Sequence, residues 1–302
     1  MLYVIYMLVK KYVKQLISNL PKNNEKNEKI PIEIDLVLSG GSFNGSYTIG
    51  ALYYIKELEK QNAIKVKRIS GSSIGSILGL LYFSNKLDLF NTFYSIFFEN
   101  FNKNKNLSQM LELKELMKNK IPSNICDILN GRFYVCFNNI QLCKKYVKHK
   151  YTNIDKLLDY IIRSCYVPFF IDYNPSYKNK YIDGLLPYIF TKKNNRKILY
   201  INVFTYDKLS NIINVKNESS NLHRILTGII DIHIFFIKEQ NTIMCSYIEN
   251  WVIYDYFIYY LTYLLENIFM YIMYLTKKIN NTKKVKNSCK QIVQYLISFL
   301  NR

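Results

Sequence analysis

A chain of 302 residues, 49% apolar and 21% charged, has the size and make-up of one large globular domain with appendages. Its six cysteines form no CxxC pair and have no clustered histidines beside them, which argues against a zinc site and against a secreted disulfide framework, and leaves reduced thiols in a cytosolic setting as the expectation. The net charge of +19 would attract nucleic acid, anionic lipid or an acidic substrate, but the lysine bias of an AT-rich genome, which needs no partner, is the favoured account of it. At the N-terminus, MLYVIYMLVKKYVKQLISNL has no basic residues ahead of its apolar run, as a signal peptide would. As a helix it puts Leu2, Ile5, Tyr6, Val9, Val13, Leu16, Ile17 and Leu20 on one face and Lys10, Lys11, Lys14 and Ser18 on the other. That pattern suits a membrane surface or, as the favoured expectation, packing on the protein's own core.

Residues 21–31 read as a polar linker, so 1–31 is an amphipathic helix with a tether. Residues 32–38, IEIDLVL, read as a strand, followed by a glycine cluster and a helical stripe of Tyr47, Ala51, Tyr54, Ile55 and Leu58. VKRIS at 66–70 is a second strand, and IGSILGLLYFS at 74–84 an apolar helix. Strand, glycine turn, helix, repeated twice, predicts a parallel sheet with helices packed on it. Residues 85–125 read as helical, 131–137 as a strand, and 152–170 as a helix running into a turn at Pro168. A short strand into an Asp-Gly turn follows at 180–189, then a buried strand at 196–204. The rest, 206–302, reads as mostly helical. Its aromatic stretch 251–276 is interrupted by Asp255 and Glu266, which favours a buried or interfacial helix over a membrane span.

Seven of the ten glycines lie between residues 40 and 79, and two local patterns account for most of them. Gly71-Ser72-Ser73-Ile74-Gly75 is a G-x-S-x-G turn between strand and helix. A serine nucleophile must stand clear of the backbone on such a turn, and glycines tolerate the crowding on either side. Gly40, Gly41 and Gly45 form a glycine-rich turn at a helix start, where backbone amides and the helix dipole can hold an oxyanion. A phosphate-binding loop is the rival reading, but Ser46 and Tyr47 occupy the places of its lysine and hydroxyl residue. Asp183-Gly184, at the end of a short strand, offers a carboxylate as the base or an ordinary turn. His223 would complete a Ser–Asp–His order as an alternative mechanism, and His233 lies ten residues further on.

Together, LSGGSFNG, GSSIG and YIDGL, with IIRSCYVPFF ahead of the last, resemble the patatin-like phospholipase family over roughly residues 34–205. The resemblance implies a three-layer α/β/α core with a mostly parallel sheet, occupying 32–205. It implies Ser73 as nucleophile, Asp183 as general base, and the amides of Gly40, Gly41 and Ser42 as oxyanion donors. Gly45, Gly71, Gly75 and Gly184 support these motifs. It further implies a phospholipid or other acyl-lipid substrate and no cofactor or metal. An anionic membrane is the expected partner, no specific nucleic acid is expected, and a peripheral, intracellular location follows. Three positions depart from the family pattern: Ser42 replaces a third glycine, Asn44 a basic residue, and Leu185 a Gly or Ala. The departures define the alternative, a catalytically weakened lipid- or membrane-binding protein.

Overall fold

The computed structural model of the protein describes residues 2–20, 31–193, 196–215, 218, 220–279 and 291. The linker expected at 21–31, Pro31 apart, lies outside these residues, as do Cys289 and the side chains of Leu2, Ile5 and Tyr6.

Among the described residues seven strands make one sheet: β1 (Ile32–Leu38), β2 (Ile64–Ser72), β3 (Phe133–Asn139), β4 (Lys144–Lys148), β5 (Tyr181–Asp183), β6 (Lys197–Ile201) and β7 (Cys245–Tyr247). Their order is β4-β3-β2-β1-β6-β7, with β5 also on β3. The central four, β3-β2-β1-β6, run parallel, as the strand–turn–helix alternation predicts. The outer pairings are antiparallel, so the whole sheet is mixed. The cause is local at β4: a connection as short as 140–143 can only return the chain antiparallel.

Strand alternation divides the core. On one face Ile34, Leu36, Leu38, Phe133, Val135, Leu199 and Ile201 join the main cluster. That cluster is completed by α1 (Leu2–Ser18), α2 (Gly45–Lys60), α3 (Ile74–Phe83), α4 (Leu89–Asn104), α5 (Leu113–Lys118), α6 (Ile125–Leu129), α7 (Ile154–Ser164) and α8 (Leu222–Lys238). Val9, Val13 and Ile17 bury α1 in it while Lys11 and Lys14 stay exposed, so the helix packs on the protein's own core. On the opposite face Val37, Ile198 and Tyr200 meet Tyr188, Phe190 and Trp251. The third layer is α9 (Ile253–Ile279), whose Met270 and Met273 pack on Ile140 and Ile182.

The crossing of α2 and α8 is backbone against backbone. A Cβ on Gly228 would lie 2.0 Å from the Tyr47 carbonyl oxygen, and one on Gly50 2.1 Å from that of Ile225. Only glycine permits that approach, and it brings the start of α8 against the start of α2.

Candidate active site

β2 enters α3 through Ser73, held at φ 51° and ψ −130°. A serine with positive φ is uncommon and strained, and persists only where its surroundings over-determine it. The surroundings here do. The Ser73 amide donates to Ser164 Oγ at 2.9 Å, and Ser164 Oγ donates to the Cys136 carbonyl at 2.6 Å. Ser76 Oγ donates to the Ser73 carbonyl at 2.6 Å. Both flanking glycines are obligatory: a Cβ on Gly71 would sit 2.5 Å from the Gly75 carbonyl oxygen, and one on Gly75 2.5 Å from that of Leu38.

The loop after β1 lies alongside, as adjacent parallel strands require at their C-terminal ends. A Cβ on Gly40 would come within 3.0 Å of Ser73 Cβ. Gly41 has φ 151°, and Ser42 takes φ 48°, so the serine at the family's third glycine adopts a left-handed conformation. The amides of Gly40, Gly41 and Ser42 donate to no backbone acceptor among the described residues. Ser39 anchors the loop's other side, its amide donating to the Ile201 carbonyl at 3.1 Å while its Oγ accepts from the Val203 amide at 2.8 Å.

β2 and β5 share one edge of β3, and this delivers Asp183. β2 pairs with Phe133–Cys136 and β5 with Phe137–Asn139, so β5 lies in line beyond the end of β2, next to the Ser73 turn. The Asp183 amide donates to the Tyr166 carbonyl at 2.8 Å, and its own carbonyl accepts from Asn138 Nδ2 at 3.0 Å. Burial pushes the Asp183 carboxyl up to about 7; the Ser73 hydroxyl beside it pulls the other way, Glu266 raises it further and Lys145 opposes that. Among the described residues, Oδ1 of Asp183 has no hydrogen-bond partner.

Ser73 and Ser42 line an apolar cleft with Phe90, Phe93, Phe97 and Met110 from the helices and Leu107 beside them. Leu185 lines a second cleft with Ser39, Trp251, Tyr254 and Ile258, and its carbonyl accepts from Ser72 Oγ at 3.1 Å. A backbone contact of that kind tolerates a leucine where the family has a small residue. His223 is not brought to this centre: it is more than half exposed and lies 3.7 Å from Glu218. His233 meets the Tyr54 hydroxyl at 2.9 Å.

Several polar residues around the site escape a reading of the sequence. Glu266, read there as an interruption of an apolar run, is buried and accepts from Lys145 Nζ at 2.8 Å and from Asn138 Nδ2 at 2.9 Å. Arg224 is fully buried and donates to Asn44 Oδ1 at 2.9 Å. A carboxylate or guanidinium on an apolar helical stripe is the signal that marks both. Ser164 and Asn138 carry no such mark.

An α/β sheet with a strained serine at a strand–helix turn, a buried carboxyl beside it and an apolar cleft against both has the layout of a lipid acyl hydrolase. The family model for patatin-like phospholipase matches residues 36–186, half of the chain, from within β1 to just past β5. The chain belongs to the patatin-like phospholipase family. No curated protein matches it.

Proposed function

We propose that the protein is a carboxylic ester hydrolase of phospholipase A type, releasing fatty acids from membrane phospholipids or related acyl lipids through a Ser73–Asp183 dyad. The observation that carries this is Asp183: a buried carboxyl poised near neutral pH beside a serine in a strained turn. A base whose proton affinity sits near working pH is the effective one. Asp183 takes the Ser73 Oγ proton as Oγ attacks the ester carbonyl carbon. The amides of Gly40, Gly41 and Ser42 hold the oxyanion. The bond to the leaving alcohol breaks, the alcohol takes the proton from Asp183, and an acyl-enzyme remains. Asp183 then takes a proton from water, which attacks the acyl carbon; fatty acid leaves and Ser73 regains its proton. The cleft behind Phe90, Phe93 and Phe97 is suited to the acyl chain.

In this reading residues 32–205 carry the chemistry and the 206–302 region the contact with the lipid surface. α9 turns a stripe outward that includes Phe257, Leu264, Ile268 and Ile272, each close to half exposed or more, and ends in Lys277 and Lys278. An apolar face with terminal cations suits a bilayer carrying anionic lipid. No helix among the described residues is long and apolar enough to cross a membrane, so the contact we propose is peripheral. Cys126, Cys136, Cys143, Cys165 and Cys245 are free, which fits a reducing compartment.

The test is fatty-acid release from mixed phospholipid vesicles, read by mass spectrometry, for wild type, Ser73→Ala, Asp183→Asn and His223→Ala. Release by wild type and the His223 variant alone supports the dyad. Folded, vesicle-bound wild type that releases nothing sinks it in favour of a lipid-binding protein.

A further inference from the structure

Among the described residues Arg224 is the largest side chain that is fully buried. A guanidinium has five N–H donors, and all five are used here. Nε donates to Glu218 Oε1 at 2.9 Å. Nη1 donates to Asn44 Oδ1 at 2.9 Å and to the Asn211 carbonyl at 2.7 Å. Nη2 donates to the Asn214 carbonyl at 3.0 Å and, closely, to Glu218 Oε1. Glu218 neutralises the charge within the protein, so Arg224 contributes geometry more than field.

Asn44 receives that geometry. Its Nδ2 donates to the carbonyls of Val203 at 3.1 Å and Lys208 at 2.9 Å. With two carbonyls at one end and a guanidinium donor at the other, the side-chain amide has a single satisfied orientation. The Asn44 backbone amide donates to the Gly41 carbonyl at 2.9 Å, across the turn that contains Ser42. The same residue therefore closes the glycine loop with its backbone and grips three other segments with its side chain.

We propose that Arg224, acting through Asn44, is the positioning residue of the Gly40–Ser42 loop, holding that loop from α8 through the position where the family usually has a basic residue. The inference rests on the acyl-hydrolase reading. Removing the guanidinium takes a donor from the buried Asn44 Oδ1, from the Asn211 and Asn214 carbonyls and from Glu218 Oε1, while Glu218 Oε2 keeps the Tyr94 hydroxyl at 3.2 Å, and the loop that Asn44 closes loses its tie to α8. Oxyanion donors act in the transition state, so their displacement lowers kcat and spares substrate binding.

The experiment measures kcat and KM on phospholipid in mixed micelles, with thermal melts and pH profiles, for wild type, Ser73→Ala, Arg224→Met, Arg224→Lys, Asn44→Ala and the Arg224→Met/Asn44→Ala double variant. Loss of one oxyanion donor lowers kcat about 10²-fold, and that is the fall expected for Arg224→Met, with KM changing less than about threefold. Arg224→Lys recovers part of it. Asn44→Ala, which keeps the Arg224–Glu218 pair, loses a similar amount, and the double variant is no worse than the worse single, because the two residues act as one unit. The pH limb set by Asp183 stays in place. Should Arg224→Met not fold, Asn44→Ala carries the test alone. A folded Asn44→Ala with wild-type kcat overturns the proposal, as do additive losses or a displaced pH limb. Wild type that releases nothing sinks the hydrolase reading and this inference with it; active wild type beside unchanged variants sinks the inference alone.

Discussion

Behind the Gly40–Ser42 loop, every guanidinium N–H of Arg224 has an acceptor. Behind Asp183, Asn138 Oδ1 and Asp183 Oδ1 both lack partners among the described residues. The guanidinium behind the loop is saturated and the carboxyl of the base is not. Under the proposed chemistry the difference has a purpose. Oxyanion donors must already point at the charge when it forms, which favours rigid bracing. A base must change its charge within each cycle. A carboxylate satisfied by several donors holds its proton too weakly to act, so Asp183 is served by leaving it buried and short of partners.

The largest expected effect tests whether the two sides meet at one serine. Ser73→Ala and Asp183→Asn should each reduce fatty-acid release by about 10⁴-fold or more, measured by mass spectrometry on folded protein. The base side gives Asp183→Asn a second signature. Its folded proton affinity, about 7, lies above that of an ordinary carboxyl. Ionisation in the folded state therefore costs stability, which is full below about pH 4 and lost as pH rises through 7. Asp183→Asn escapes that loss, so its Tm advantage should grow from about pH 4, be full above pH 7 and vanish in acid.

Gly228→Ala should break the loop side without touching Arg224 or Asn44. A methyl group 2.0 Å from the Tyr47 carbonyl oxygen forces α2 and α8 apart, at a cost of about 1–3 kcal/mol in thermal or urea unfolding. Activity per folded molecule should fall with it, whereas a fall in stability alone would argue that the loop needs no brace from α8.

A smaller effect sharpens the base side. Wild-type kcat/KM should rise through about pH 7 as Asp183 ionises. Glu266→Gln removes a negative neighbour and should move that limb to lower pH, while Lys145→Met should move it to higher pH. Equal limbs in all three proteins would show that Asp183 does not set the profile. The smallest effect belongs to the outer face of α9. Ile268→Ser should weaken vesicle binding by about tenfold and leave the limb unmoved, as measured by flotation and pH profile.

How much of this was legible in the chain depends on the range of the interaction. β1, β2, α2 and α3 carry their own periodicity and turn glycines, so the strand–turn–helix frame and the positions of Ser73 and Gly40 follow from neighbouring residues. β4 does not announce itself: KKYVK is a lysine-rich edge strand made a strand by its partner β3. β7 has three residues and no pattern to read. The aspartate at 183 is visible as an Asp-Gly turn, but its place beside Ser73 comes from the shared edge of β3. Asn44 shows why a departure from a family pattern cannot be scored on its own. The guanidinium it meets lies 180 residues further along the chain.

β1 is flanked by β2 on one side and by β6 on the other, and Leu38 pairs with Ile201. About 160 residues separate that pair, and a ribosome adding about 5–20 residues per second needs roughly 8–33 s to make them. For that time one edge of the central strand has no native partner, and it belongs to an apolar segment able to capture another chain. The loop after β1 is not in its final place until the interval closes, because Ser39 is tied to Ile201 and Val203. The growing chain is thus at its most adhesive while it is still without a lipid-cleaving centre, and yield on expression should depend on chaperone supply more than on any hazard from the finished enzyme.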